Sequence, residues 1–273
     1  MSNKAMSLKG KIRNYAKQHK IAAQVVLQNY MFERFLNRLS LSNYKNKFIV
    51  KGGVLVAAIV GLDTRSTMDL DTTIKNMGMK EKEIKDALQE IFNIDLNDEV
   101  KFKLVSLNPI IKDDVYGGYC VKLIAIYDTI ETPLSIDIST GDIITPSPIK
   151  YEFNCLFNDE QTFELFGYNL ETILAEKIET ILRRGVFNTR IKDFYDLYII
   201  LTTKKYNSNL LKCALNNTAS HRGSKEIISI ISDISTNIDL KDLWKKYQNQ
   251  YSYAKEIEFE DIIQCLLKIM NDC

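Results

Sequence analysis

The sequence predicts an α/β domain followed by an all-helical one. Two observations carry that prediction. Apolar residues alternate between strand-like and helix-like spacing up to a break around Pro146 to Glu160, and every later segment recurs at three to four residues. The chain has 273 residues, enough to bury a sizeable core. A division into 1-150 and 151-273 gives two parts of ordinary domain size.

In order, the first fifty residues are strongly basic and helical, with apolar residues at helical spacing from Ile21 to Leu39. Lys47 to Val50 reads as a short strand that ends at a glycine pair, and Val54 to Val60 as a buried helix closed by Gly61. A strand over Met68 to Ile74 and a charged helix over Lys80 to Phe92 follow. Strands are then expected over Val100 to Leu107, Tyr119 to Tyr127 and Leu134 to Ile138, with Tyr116-Gly117-Gly118-Tyr119 as a turn. Beyond the break, helices are expected over Asn169 to Arg184, Thr189 to Thr203, Ser208 to Asn217, Lys225 to Ser235, Leu240 to Tyr251 and Phe259 to Met270. Trp244, Tyr247 and Tyr251 recur on one helix, as a packing stripe does.

Composition excludes several classes of function. Hydrophobic residues make up 45% and charged residues 26%, as in soluble globular proteins, and no apolar run approaches the roughly 18 residues that span a bilayer. The polar, lysine-rich start carries no apolar signal region, so a cytoplasmic location and no membrane partner are expected. The five cysteines are scattered and never form a C-x-x-C pair, which argues against a disulfide framework or a zinc knuckle. His19 and His221, the only histidines, lie far apart in polar surroundings. That argues against a Ser-His-Asp mechanism and a histidine-held metal, leaving carboxylates, lysines and arginines for any chemistry.

Net charge is +1 but uneven: Met1 to Lys51 contains eleven Lys or Arg and one acid, Glu33, about +10 in all. Such a segment is either a footprint for phosphate backbones or a solvated helical face.

The densest chemical signal is Lys51-Gly52-Gly53 followed by Asp69-Leu70-Asp71. A glycine pair where a strand meets a helix exposes backbone NH groups to an anion, and the absent Cβ lets a triphosphate approach. Asp69 and Asp71, two apart on a strand, project from one face, and carboxylate oxygens there suit Mg²⁺. Asp137, between Ile136 and Ile138, can complete a triad as a third ligand and as acceptor of a hydroxyl proton. Taken singly, each motif also reads as a plain turn or a polar strand edge. Two like charges on one strand face repel, and a cation removes that cost.

Together with Arg65-Ser66-Thr67-Met68, the strand of Asp137 and the segment Glu171 to Tyr198, these residues resemble the AbiEii/AbiGii toxin family of the DNA polymerase β-like nucleotidyltransferase superfamily. The likeness runs from about Phe48 to Ile200. It implies a mixed-sheet nucleotidyltransferase domain with flanking helices followed by a C-terminal helical bundle. It also implies a toxin of a bacterial toxin-antitoxin or abortive phage-infection system. Such a toxin binds a nucleoside triphosphate with Mg²⁺ and transfers a nucleotide, in some members to the 3′ end of tRNA, and an antitoxin encoded nearby restrains it.

Carried over by position, Gly52 and Gly53 hold the triphosphate beside Lys51, and Asp69 and Asp71 bind metal. Arg65 and Thr67 belong to the pattern, Arg65 either pairing with phosphate or fixing the loop. The second block is Ala175-Glu176-Lys177 with Arg190-Ile191-Lys192-Asp193-Phe194-Tyr195-Asp196. In it Lys177 contacts phosphate and Asp193 is its partner, with Asp196 the alternative; the helical domain thereby contributes Lys177 and Asp193 to the cleft. The superfamily usually has Gly-Ser before its D-x-D, whereas Gly53 stands here with fifteen residues intervening before Asp69. Transfer to a protein or small-molecule hydroxyl, and a non-catalytic nucleotide-binding module, are the competing expectations.

Overall fold

The computed structural model describes residues 2–110, 117–224 and 230–272. The chain forms two compact units, residues 1–142 with 149–167 and residues 143–148 with 168–273.

The first unit holds helices α1 (Asn3–His19), α2 (Ala23–Leu41), α3 (Gly52–Val60) and α4 (Glu81–Asn93). Its strands are β1 (Phe48–Lys51), β2 (Leu70–Ile74), β3 (Val100–Ile110), β4 (Gly118–Tyr127), β5 (Ile130–Thr140), β6 (Ile149–Cys155) and β7 (Asn158–Gly167). They form one seven-stranded mixed sheet in the order β3-β4-β5-β2-β1-β7-β6. β2 runs parallel to β5 and β1 parallel to β7, and the remaining neighbours are antiparallel.

Alternation along the strands decides which sheet face is covered. Leu134, Ile136 and Ile138 of β5 and Val121, Leu123 and Ala125 of β4 are fully or nearly fully buried. α2 packs against β5, β7 and α4 and buries Val26, Phe32, Phe35 and Leu39 in the same core. α4 adds Ile84, Leu88 and Ile91 from one stripe. Burying that apolar area, at about 25 cal/mol per Å², is the main force holding helices to sheet. Arg38 of α2 is buried as well, with a bidentate pair to Asp98 at 2.8 and 2.6 Å and a third bond to the Val100 carbonyl at 2.7 Å. These bonds offset the cost of taking a guanidinium out of water and pin α2 to the start of β3.

Two strands were not expected from the sequence. β6 and β7 form a hairpin on the far edge of the sheet, so the expected boundary at 150/151 falls inside β6. The sheet also takes residues 149–167 into the first unit, whereas 143–148 belong with the helices. α3 begins two residues earlier than expected, at Gly52 itself, and β2 begins two residues later, at Leu70. The turn expected at Tyr116-Gly117-Gly118-Tyr119 has its first residue outside the described residues.

The second unit contains α5 (Leu170–Arg184), α6 (Ile191–Thr203), α7 (Ser208–Arg222), α8 (Ile230–Thr236), α9 (Ile238–Gln250) and α10 (Phe259–Asp272). Asn169 caps α5 by accepting from Thr172 N at 2.8 Å, the role that Asn207 and Asn237 play for α7 and α9. Trp244 and Tyr247 lie in the core against Phe259 and Tyr195, and the indole donates to the Ile257 carbonyl at 2.9 Å. Residues 225–229 of the helix expected from Lys225 lie outside the described residues. Among the described residues no helix is long and apolar enough to cross a membrane.

Candidate functional site

Sheet register gathers the chemically distinctive residues of the first unit. Lys51 of β1 stands opposite Asp71 of β2, Asp71 beside Asp137 of β5, and Asp137 opposite Cys120 of β4. One row across four strands thus reads Lys51, Asp71, Asp137, Cys120. Neighbouring strands lie about 4.8 Å apart, so two carboxylates in adjacent positions repel unless a cation or proton intervenes. Both acids are half-buried, which strengthens that repulsion.

Asp69 does not share the strand. β1 ends its pairing at Lys51↔Asp71 because the chain turns into α3, and β5 first meets β2 at Leu70, so nothing extends the ladder to Asp69. The residue is exposed at the mouth of the row, with Thr67 Oγ1 3.3 Å from its carbonyl and 3.5 Å from its NH. The expectation that a strand carries both acids is corrected to one acid on the strand and one just before it.

The glycine pair packs directly on this row. Gly52 has φ +65, and a Cβ there would stand 2.7 Å from Asp71 Cγ and closer still to Oδ2. A Cβ on Gly53 would stand 2.5 Å from Thr67 Oγ1 and 3.3 Å from an Arg65 guanidinium nitrogen. Glycine at both positions is therefore what lets the opening of α3 lie against the acids and the loop before β2. The first NH groups of an α-helix have no partner within it, so α3 presents donors and positive dipole beside Gly52 and Gly53. Arg65 and Thr67 are buried, Arg65 bonding the Ser66 carbonyl and Thr67 held through its carbonyl by Asn29 Nδ2 at 2.7 Å. They brace the glycine turn from behind.

Lys51 Nζ pairs with Asp142 Oδ2 at 2.5 Å, and Ser139 Oγ donates to the same oxygen at 2.7 Å. Asp142 and Ser139 were not singled out in the sequence; their signal was an acid just past the end of an expected strand. The two carboxylates of the row, Asp71 and Asp137, offer oxygen donors, which suit a hard divalent cation, and Cys120 stands at the end of the row with Asp137 between it and Asp71. Among the described residues no group of three or more His, Cys, Asp or Glu is gathered as a metal cage. Mg²⁺ needs none, since it binds through one or two carboxylates and completes its shell with water and phosphate. Asp71 and Asp137, with the bare backbone of Gly52 beside them, fit that description.

The expected second block forms a centre of its own within the helical unit. Lys177 of α5 donates to Asp193 Oδ1 at 2.9 Å and to Asp196 Oδ2 at 2.7 Å, both on α6. Arg190 Nε reaches the other Asp193 oxygen at 2.8 Å. The lysine thus holds both aspartates. Burial alone would raise the Asp193 pKa, but Lys177 and Arg190 overcome it and bring it down to about 2. On the same helix α5, the buried Glu179 accepts from Ser224, Arg222 and Arg183. Burial pushes its pKa up, and the Ser224 hydroxyl and Arg222 guanidinium pull it below the ordinary value.

The comparisons with known proteins bear on both units. The family model of the nucleotidyl transferase AbiEii toxin, a type IV toxin-antitoxin system, matches residues 34–265. The chain belongs to this family. The match takes in the row, the glycine turn and the Lys177 centre, and the family is one of toxin nucleotidyltransferases. A candidate nucleotidyltransferase from H. pylori shares the fold at 16% identity, with 92% of this chain and 95% of that one covered and a TM-score of 0.55. JHP933 from Helicobacter pylori is similar at 16% identity, 92% and 94% coverage and a TM-score of 0.51. No curated protein matches the sequence. The AbiEii assignment rests on the family model; the two solved structures show the fold, a mixed sheet with flanking helices.

Proposed function

We propose that the chain transfers a nucleotide from a nucleoside triphosphate to the hydroxyl of an RNA acceptor, with the 3′ end of tRNA the leading acceptor. We place it as the toxin of an abortive phage-infection system, restrained by an antitoxin encoded nearby. The observation that carries this reading is the register row of Lys51, Asp71 and Asp137 beside a glycine turn that opens a helix.

In this account the triphosphate lies against the first NH groups of α3, where Gly52 and Gly53 leave room and the helix dipole favours negative charge. Lys51 supplies a cation at the same end of the row, and Arg65 and Thr67 keep the turn in register with it. Asp137 accepts the proton of the acceptor hydroxyl. The hydroxyl oxygen bonds to the α-phosphorus, the bond from that phosphorus to the β-phosphate bridging oxygen breaks, and pyrophosphate leaves. Mg²⁺ held by Asp71 and Asp137, with Asp69 at the mouth, would supply charge stabilisation for the leaving pyrophosphate. Lys177 and Asp193 enter as residues on which transfer depends. The exposed Lys11, Arg13 and Lys17 of α1, with Arg183 and Arg184, steer the polyanionic acceptor.

The test is incubation of purified protein with Mg²⁺ and each labelled triphosphate, with and without total tRNA. Label in RNA supports the reading. Label in the protein itself or in a small hydroxyl compound moves the acceptor to another class, and triphosphate binding without any transfer makes the chain a binding module.

A further inference from the structure

The row of acids continues into a polar sheet face that the transfer step leaves without a role. Lys122 of β4 lies opposite Ser135 of β5 and next to the Asp137 pair, and its Nζ donates to Ser135 Oγ at 2.7 Å. Cys120 Sγ lies 3.5 Å from the same hydroxyl, so Cys120, Lys122 and Ser135 share the face that carries Asp137. On β3 the cross-strand partners of this face are Asn108 opposite Cys120, Ser106 opposite Lys122, Lys103 opposite Ile124 and Lys101 opposite Ile126. Lys101, Lys103, Asn108 and Lys122 are all exposed.

A β-bulge keeps this face continuous. The register of β3 shifts between Leu104 and Ser106, with Val105 the extra residue, 57% exposed. Without it, strict alternation would turn Leu107 and Pro109 toward the side of Lys101 and Lys103 and send Ser106 and Asn108 to the core. With it, Asn108 Nδ2 reaches Ser106 Oγ at 3.0 Å on the open face, and along β3 the polar side chains Lys101, Lys103, Ser106 and Asn108 run toward the row of Asp137, with Ile124 and Ile126 of β4 beside the two lysines. Lysines on an edge strand guard against edge-to-edge pairing, which would account for Lys101 and Lys103. Lys122 lies on β4, which is paired on both sides, so edge protection does not explain it. Among the described residues, Glu131 is the acid that β3, β4 and β5 place on this face beyond the site row, at the end away from Asp137; Glu99 and Asp128, which line a cavity with Lys101, are paired with Lys4 and Ser2.

We infer that the β3–β4 face bearing Lys101, Lys103 and Lys122 is the track for the acceptor, a single-stranded RNA segment whose phosphates meet the lysines while its 3′ hydroxyl reaches Asp137. The inference rests on the transfer reading and adds where the acceptor lies. Residues two apart on a strand are about 6.7 Å apart, a spacing that lets Lys101 and Lys103 serve separate phosphates. An unpaired strand can follow these exposed lysines with contacts to its backbone, which carry no sequence preference.

The probe is a short unstructured RNA with a free 3′ hydroxyl, titrated in a series of salt concentrations against the full chain and its Lys101→Gln/Lys103→Gln/Lys122→Gln variant. The variant is expected to bind on the order of tenfold more weakly at low salt, and its slope of log K against log salt to be shallower by about two, at about 0.7 per phosphate contact. These side chains are exposed, so the melting temperature is expected to stay put. Unchanged affinity and slope overturn the track, as does an equal loss with duplex RNA of the same sequence or with polyglutamate as the probe. The two readings fail separately. Transfer to RNA by the natural chain with unaltered binding by the variant sinks the track alone. Loss of binding by the variant, with no transfer to RNA by the natural chain, sinks the transfer reading alone.

Discussion

Replacing Gly52 with alanine is the most specific perturbation the site offers. Two costs follow from the backbone. A non-glycine residue at φ +65 pays on the order of 1–2 kcal/mol for the left-handed conformation. The new Cβ would also stand 2.7 Å from Asp71 Cγ and 2.8 Å from its Cβ, where carbon atoms normally keep about 3.5–4.0 Å. The carboxylate must therefore move by about 1 Å, or the start of α3 must lift away. Displacements of that size at a reacting centre cost on the order of 100-fold in rate. Nucleotide transfer measured at saturating triphosphate, alongside thermal unfolding, separates the effects: a stability loss of about 1–2 kcal/mol with a rate loss near 100-fold is expected. A Gly52→Ala protein that transfers within twofold of the natural rate would refute the placement of Asp71 in the reaction.

Gly53→Ala meets Thr67 Oγ1 at 2.5 Å instead, so the Gly53→Ala/Thr67→Ala pair is expected to recover most of the activity lost by Gly53→Ala alone; additive losses in a double-mutant cycle contradict this packing. The Asp193 carboxyl, near 2 in the folded chain against an ordinary 3.8, contributes about 2 kcal/mol of stability. Because the folded value is the lower one, this contribution is present above about pH 4 and is lost as pH falls toward 2. Asp193→Asn is expected to flatten that part of the denaturant-midpoint profile, and an unchanged profile contradicts the pairing with Lys177 and Arg190. Arg38→Met leaves Asp98 buried without its bidentate partner and is expected to cost about 3–5 kcal/mol in urea unfolding. A loss below about 1 kcal/mol means that the pair does not anchor α2. Neutralising Lys9, Lys11, Arg13 and Lys17 together is expected to weaken RNA binding and flatten its salt dependence; unchanged binding returns α1 to a solvated face.

Much of the fold was legible because its strongest signals are local. Alternation identified β3, β4 and β5, and three-to-four recurrence identified the helices from α5 onward. The β6–β7 hairpin was missed because its turn is Leu156-Phe157, without the Asn-Gly or Asp-Gly that marks two-residue hairpins. The whole stretch from Pro146 to Glu160 read as a break between two patterns, although Tyr151, Phe153 and Cys155 do alternate. Asp69 was expected on a strand because D-x-D alternates correctly. What ends the ladder is that β1 turns into α3 at Gly52, a tertiary event that spacing in β2 cannot show. Likewise the sequence offered Asp193 and Asp196 as alternatives, and only the packing of α5 on α6 brings both to Lys177. The bulge at Val105 was invisible for the same reason, since it is defined by the partner strand.

Nucleotidyl transfer on the Asp71–Asp137 row requires the Asp71 carboxylate. The most direct test of this requirement is single-turnover transfer from labelled triphosphate to RNA by the Asp71→Asn protein, which keeps side-chain volume while removing the charge. Transfer is expected to fall by at least 100-fold, with unfolding unchanged or shifted toward greater stability as the repulsion from Asp137 is relieved. Transfer at the natural rate by Asp71→Asn would contradict the requirement.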